Sequence, residues 1–479
     1  MSLERKLAVG SIRRSVGDYS VYFATFAFCA CLLYTFASCR DYLLALDTGQ
    51  FSLDVFARVM EYIIPVGVFS IVVFCFLARY ANRFLVRRRK AELATLQLAG
   101  MGKAAVARVL LMECGVVALA ALAGGIAVGI VLSPVFAMLA AWAFRLTWRP
   151  VVVVSTVGMT FTAAGFAAVL VASAIGALRE LGRTSLLDLM QARHVPEVAR
   201  ARRHHSIGRD VAKGLVCLSI VYFLCWTVVG FLGFMIPASI LACMGTFWLL
   251  RALAALIPAV VRSRRGVYLK GLTCFVTRQV EAHVESSCAA LTCASALLSV
   301  GVCALSLAVG IRSVVDVEQA GGDLEMLAGT GTLVYIVLFF GVTFMVSAAA
   351  VLALQQMSEA SESRERFVEL TQLGAERDAL SRALLAQVAV YFLFPGTMAV
   401  VHDAFGFMVA AGMLDMLGIP VENVNFTLVL AVVMVVFVAY LLVTYRGCKR
   451  SVLGWLAPAT AGGAGPEAVG AAEASGAAA

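Results

Sequence analysis

The chain has 479 residues, 62% of them apolar and only 14% charged, with a mean hydropathy of +0.93 and a net charge of +9. A soluble fold of this composition would expose apolar patches far beyond the roughly few hundred Å² that monomers tolerate, so a soluble globular protein is excluded and an all-α polytopic membrane protein is expected. The basic balance calls for no nucleic acid, because Lys and Arg gather in the cytoplasmic loops of membrane proteins. Thirteen cysteines, several in apolar segments (Cys29, Cys31, Cys75, Cys225, Cys303) and none in a CxxC pair, read as small buried hydrophobes rather than disulfides or metal ligands.

In chain order, residues 1–18 are a basic amphipathic lead-in without a cleavable signal pattern. A bilayer span needs about 20 apolar residues. Ten segments qualify: 19–39, 59–78, 108–132, 151–177, 213–234, 236–258, 287–310, 332–355, 383–411 and 425–445. Basic residues cluster ahead of span 1 and after spans 2, 4, 6 and 10, while acidic residues occupy 41–54 and 316–325. The positive-inside rule then places both termini in the cytoplasm of a multi-pass protein. Residues 179–212 are a basic cytoplasmic loop, and 213–258 form an inserted hairpin of two spans that turns near Met235-Ile236-Pro237. Residues 451–479 are an Ala/Gly-rich tail with too little apolar bulk to fold, expected to be disordered.

The stretch from Arg79 to Glu113 reads as a charged helix-turn-helix between two spans. A basic run ends at Lys90, Leu93 and Leu96 share one helical face, and Gly100 stops the helix. It occurs twice. Shifted by 274, Lys90, Leu93, Leu96, Gly100, Val106, Arg108, Leu111 and Glu113 fall on Arg364, Phe367, Leu370, Gly374, Leu380, Arg382, Leu385 and Gln387. Only Glu113 loses its character. The expected organisation is therefore two four-span repeats, 19–178 and 259–450, in the same orientation and flanking the hairpin.

Other motifs carry less. Gly100-Met101-Gly102-Lys103 is no phosphate loop, because Gln97 and Ala104 occupy the positions that need Gly and a hydroxyl. Small residues at four-residue spacing (Ala121, Gly125, Gly129; Ala168, Ala172, Gly176) read as close helix packing. Glu113 lies near the cytoplasmic surface, solvated or paired, and His402-Asp403 reach the outer interface by helical rise. Pro65 and Pro395-Gly396 mark expected kinks, and His204-His205 has no metal-ligand spacing. No nucleophile-base constellation is present in the sequence, and no catalytic, cofactor or metal site is expected.

Residues 88–129 (RRKAELATLQLAGMGKAAVARVLLMECGVVALAALAGGIAVG), 353–392 and 12–23 (IRRSVGDYSVYF) resemble the FtsX-like permease family of ABC transporters. Within it the chain is most similar to the ten-span bacitracin-export-type permeases. Those carry a large extracytoplasmic domain between spans 7 and 8, where this chain has only residues 312–331. The resemblance implies a permease subunit in a bacterial cytoplasmic membrane, with ATP hydrolysed by separate P-loop ATPase subunits. In such permeases the cytoplasmic helix-turn-helix is the coupling element on which the ATPase pushes. Carried onto this sequence, the coupling segments are about 84–102 and 359–376, with Glu92, Leu93, Leu96, Gly100 and Met101 in the first and Arg366, Phe367, Leu370 and Gly374 in the second. Two such segments per chain imply two ATPase copies. The apolar faces of Leu93/Leu96 and Phe367/Leu370 are expected to enter a groove on each. The implied work is to move, extract or sense an amphipathic substrate, an antimicrobial peptide or a lipid-linked molecule. The alternatives are a non-transporting scaffold that relays ATPase state to a partner such as a sensor histidine kinase, and a secondary carrier.

Overall fold

The computed structural model describes residues 16–46, 89–183, 207–314, 324–416 and 426–454, together with residues 71, 74, 75, 78, 81, 82, 85 and 86. Expected span 59–78, Pro65, His204-His205, the acidic residues 316–323 and the 455–479 tail lie wholly or mostly outside them. The described chain is helical: α1 (Val16–Ala37), α2 (Cys39–Leu46), α3 (Lys90–Leu98), α4 (Lys103–Val131), α5 (Ser133–Phe144), α6 (Thr156–Arg183), α7 (Ile207–Trp226), α8 (Val228–Gly233), α9 (Met235–Ser263), α10 (Arg265–Tyr268), α11 (Thr273–Val314), α12 (Leu324–Gln372), α13 (Arg377–Met416) and α14 (Phe426–Leu453). Among the described residues, seven helices are long and apolar enough to cross a bilayer, or eight if α1 and α2, bent by 49°, form one span.

Several boundaries depart from the hydropathy reading for local reasons. The fourth span begins at Thr156 rather than 151, because Ser155 caps it: the Gly158 N–H donates to Ser155 Oγ at 2.8 Å. The β-branched run Val151–Val154 ahead of that cap is not helical. Helix α5 has no counterpart among the expected spans; Pro134 opens its first turn and Arg145, with φ +57°, closes it. The fifth expected span, 213–234, falls on α7, which stops at Trp226 and is not among the seven helices long and apolar enough to cross. Thr227 is extended there, and Gly233 ends the short α8 that follows. The first turns of α7 carry Arg209, Asp210 and Lys213, of which Asp210 is buried. The hairpin then returns through α9, whose Pro237 sits in the first turn, where no intrahelical N–H is needed. Helix α13 runs through Pro395 without ending.

Helix α1 packs on α4 and α6, and α11 packs on α12 and α13 with α14 along their flank. The hairpin pair α7–α9 leans on α11 and α13. Gly125 permits the α1–α4 contact, since a Cβ there would meet Ala30 Cβ at 2.7 Å. The small-residue face of α4 is thus used for packing within the chain. The two halves meet through Phe36 of α1, whose ring centroid lies 4.5 Å from that of Phe339 of α12. Helix α14 presents Val432, Val435 and Val436 outward, as a lipid-facing helix does.

Candidate functional site

The two segments that the 274-residue offset relates end in the same turn. In the first, Ala99 N–H donates to Thr95 O (2.9 Å), Gly100 N–H to Gln97 O (3.1 Å) and Met101 N–H to Leu96 O (3.1 Å). In the second, Leu373 N–H donates to Glu369 O (3.0 Å), Gly374 N–H to Thr371 O (2.9 Å) and Ala375 N–H to Leu370 O (3.0 Å). Each donor and acceptor is displaced by 274. This is the Schellman pattern, which satisfies the last helical carbonyls by a left-handed residue just past the helix. Gly100 and Gly374 supply it, with φ of +90° and +87°. Leu96 and Met101, and Leu370 and Ala375, hold the positions of the hydrophobic pair of such a turn, and all four are partly buried against the core. After each turn the chain passes directly into a long helix, α4 or α13.

Neither segment is a free-standing helix. Arg89 N–H donates to Leu85 O (3.1 Å) and Leu93 N–H to Arg89 O (3.0 Å), so helical bonding runs through Arg89 into α3. The second segment is the end of the 49-residue α12. No Gly or Pro interrupts 355–372, so nothing there breaks the helix.

Burial divides the expected docking face, in which Leu96 and Leu370 are half-buried. Leu93 and Phe367 are fully buried in this chain's own core, and the Phe367 ring meets Phe275 of α11 edge-on at 5.4 Å. They anchor the segments to the bundle. The exposed apolar residues of the two turns are Leu98 (57%) and Leu373 (83%), immediately before the glycines. Glu92 and Gly100 are exposed, while Arg366 and Met101 are half-buried.

Sequence reasoning missed what ties the first turn to the bundle. Arg89 of the basic run is buried, and its Nη1 donates to both the Tyr19 hydroxyl of α1 and the Glu113 carboxylate of α4. Tyr19 donates to Glu113 Oε2 at 2.6 Å, and Arg89 Nε to Glu92 Oε2 at 2.7 Å. The Arg89 guanidinium also lies 5.2 Å from the Tyr19 ring centroid. Burial works against the Arg89 charge, yet the hydrogen bond and charge of Glu113, helped by Glu92, hold its pKa above the ordinary value. Of the two readings open for Glu113, paired or solvated, it is paired. At the 274-shifted positions the second segment has Ser363 and Gln387, both buried, with Gln279 of α11 donating to Ser363. It is neutral where the first is charged.

A second polar junction joins the hairpin to α13. His402 Nδ1 pairs with the Tyr222 hydroxyl and Nε2 with Thr246 Oγ1, each at 2.8 Å, while Tyr222 stacks on Phe405 at 3.8 Å. His402 thus bridges α7, α9 and α13. Among the described residues, no three His, Cys, Asp or Glu side chains are grouped as a metal site.

Comparison with known proteins bears on this region. Residues 63–185, which contain the first turn, match the FtsX-like permease C-terminal family model. An ABC transporter permease protein of Bacillus subtilis (strain 168), YxdM, is 31% identical over 88 residues, 18% of this chain and 14% of that protein. A second B. subtilis protein, the uncharacterized ABC transporter permease YvcS, is 23% identical over 271 residues, 56% of this chain and 40% of its own length. The chain therefore spans less than half the length of either relative it matches.

Proposed function

From the FtsX-like permease domain this chain carries, we propose that it is the membrane subunit of an ABC transporter and that ATP is hydrolysed in separate ATPase chains. The observation that carries the reading is the pair of Schellman turns 274 residues apart, each opening directly into a long helix. On this reading the chain is a ten-span tandem repeat with both termini cytoplasmic, and the turns are its two ATPase-coupling points. Leu98 and Leu373 are the docking anchors, since helix-end docking uses exposed apolar side chains. Two turns of like orientation match two ATPases, giving one permease to two ATPase subunits. The motion so transmitted acts on an amphipathic molecule at the outer leaflet, with a sensor kinase as a further partner of the complex.

Photocrosslinkers placed singly at Leu98 and Leu373 test this in membranes where the chain is co-expressed with P-loop ABC ATPases of the same organism. Both positions are expected to capture the ATPase, and crosslinkers at the buried Leu93 and Phe367 are not. Capture at neither exposed position would remove the coupling assignment. A purified complex whose mass requires two permeases would remove the stoichiometry.

A further inference from the structure

We infer that Asp403 is a proton-binding site, its carboxyl holding a proton where α13 packs on α11. The side chain is 1% exposed. Oδ1 accepts from Cys303 Sγ of α11 at 3.7 Å, and Ser299, one turn earlier on α11, also hydrogen-bonds the carboxyl. Oδ2 is buried without a hydrogen-bond partner among the described residues. Nearly one turn beyond Asp403, Gly406 lets the two helices close up, since a Cβ there would meet Cys303 Sγ at 2.4 Å.

No cation faces this carboxyl. Helix α13 packs on α11, α14, α7, α12 and α8. Lys and Arg are absent from 286–311 of α11, 426–445 of α14, 214–226 of α7, 326–358 of α12, the whole of α8, and 383–416 of α13 itself. The titratable groups around Asp403 are Cys303 of α11, Tyr222 and Cys225 of α7, and its neighbour His402. Residues 341–345 of α12 and 426–433 of α14, level with it by the Gly341–Leu305 and Phe407–Phe426 contacts, hold none. Asp415 is twelve residues further along α13. Arg312 is nine residues from Cys303, about 14 Å at helical rise, and donates to Trp142 O. Arg251 of α9 lies 4.0 Å from Asp210.

His402 does not supply the missing charge. Thr246 donates its own hydroxyl proton to Ala242 O at 2.7 Å, so its oxygen accepts from His402 Nε2–H. Nδ1 is then the acceptor for the Tyr222 hydroxyl, and the ring is neutral. A weak thiol donor and a serine hydroxyl do not replace a counter-charge. A buried carboxylate without a cation costs far more than a neutral acid with one unsatisfied oxygen, so the group keeps its proton. A displacement that parts α11 from α13 at Cys303 admits water, and the O–H bond then yields its proton to solvent. That consequence rests on the coupling reading, because α13 continues from the second turn; the proton site itself does not.

The test therefore uses the purified full chain without an ATPase. Wild type and Asp403→Asn, which keeps the shape of the neutral acid, are unfolded reversibly in mixed micelles at several pH values. Above about pH 5 an unfolded aspartate is ionised, its ordinary pKa being about 3.9. The native state then holds one proton more than the unfolded state, so its stability falls as pH rises. From about pH 5 to about pH 6 the unfolding constant of the wild type should rise about tenfold relative to that of Asp403→Asn, the slope for one proton. A ratio that does not rise overturns the site. If Asp403→Asn fails to fold, infrared spectra of the wild type and Cys303→Ala in lipid vesicles at neutral pH decide. A carboxylic acid C=O stretch that shifts when the Cys303 donor is removed supports the site, and a spectrum without such a band overturns it.

Discussion

Replacing Glu113 by Gln would test whether the buried ion pair holds the first turn in place. The substitution keeps shape and hydrogen-bonding capacity and installs the residue that the offset position, Gln387, already carries. It leaves Arg89 charged and 3% exposed, beside a Glu113 position that is 1% exposed. Removing one partner of a fully buried pair costs about 3–5 kcal/mol, because the remaining charge is uncompensated in a low-dielectric site. Glu92 still touches Arg89, but its side chain is 48% exposed and its contribution is that of a surface pair, about 0–1 kcal/mol. The expected loss is therefore near the lower end, about 3 kcal/mol. Arg89→Gln should cost a similar amount, leaving Glu113 with only the Tyr19 hydroxyl. The double variant recreates the neutral chemistry of the second segment and should cost clearly less than the sum, with a coupling of about 2 kcal/mol. The assay is reversible unfolding of the purified chain in mixed micelles of rising SDS content, read by tryptophan fluorescence. Single variants within about 0.5 kcal/mol of wild type, or a strictly additive double variant, would refute the clamp.

Gly100→Val and Gly374→Val should each strain the turn by about 1–2 kcal/mol, the penalty of a left-handed backbone for a residue with a Cβ. No atom lies within 4 Å of an added Cβ at either glycine, so the cost is conformational rather than steric, and Asn should be tolerated better than Val. Permease-stimulated ATP hydrolysis should fall while membrane insertion is retained. Leu373→Glu, at an 83% exposed position, should change unfolding stability by less than about 0.5 kcal/mol yet lower ATPase copurification. Gly125→Leu should disrupt α1–α4 packing and give aggregated protein on size-exclusion chromatography. Gly124→Leu should be tolerated, because its Cβ meets only the Phe23 ring edge at 3.4 Å.

Hydropathy made most of the described spans legible, because a continuous run of about 20 apolar residues is what a bilayer-crossing helix needs and few soluble elements contain one. It misplaced boundaries wherever a single side chain decided them. Ser155 caps α6 and Thr227 ends α7, yet both sit inside apolar runs that average them away. The turns were legible because Gly100 and Gly374 recur at a fixed offset from Leu96 and Leu370. Which way their apolar residues point was not. Spacing places Leu93 and Leu96 on one helical face but does not say whether that face meets a partner or the chain's own bundle. The Arg89 clamp was hidden for another reason: Tyr19 and Glu113 lie 70 and 24 residues away from Arg89, and a basic run reads as a solvated loop.

On the proposed reading the two turns receive the same push and pass it on by different means. The first is tied at Arg89 to α1 through Tyr19 and to α4 through Glu113, so displacement of the turn must carry both helices or separate buried charges. Separating them is costly in a low-dielectric site, which makes this junction stiff in every direction. The second turn sits at the end of a single helix of 49 residues, about 74 Å of continuous backbone at 1.5 Å per residue. Its lateral hold includes the Phe367–Phe275 ring contact, the Gln279–Ser363 hydrogen bond and, two turns earlier, the hydrogen bonds of Ser287 with Gln355 and Glu359. The second turn can therefore move only with α12 and the α11 and α14 side chains bonded to it, where the first moves with the α1–α4 pair. Identical ATPases acting on both turns would then produce an asymmetric motion in the membrane. The asymmetry originates in two positions, Arg89/Ser363 and Glu113/Gln387, rather than in the turns themselves.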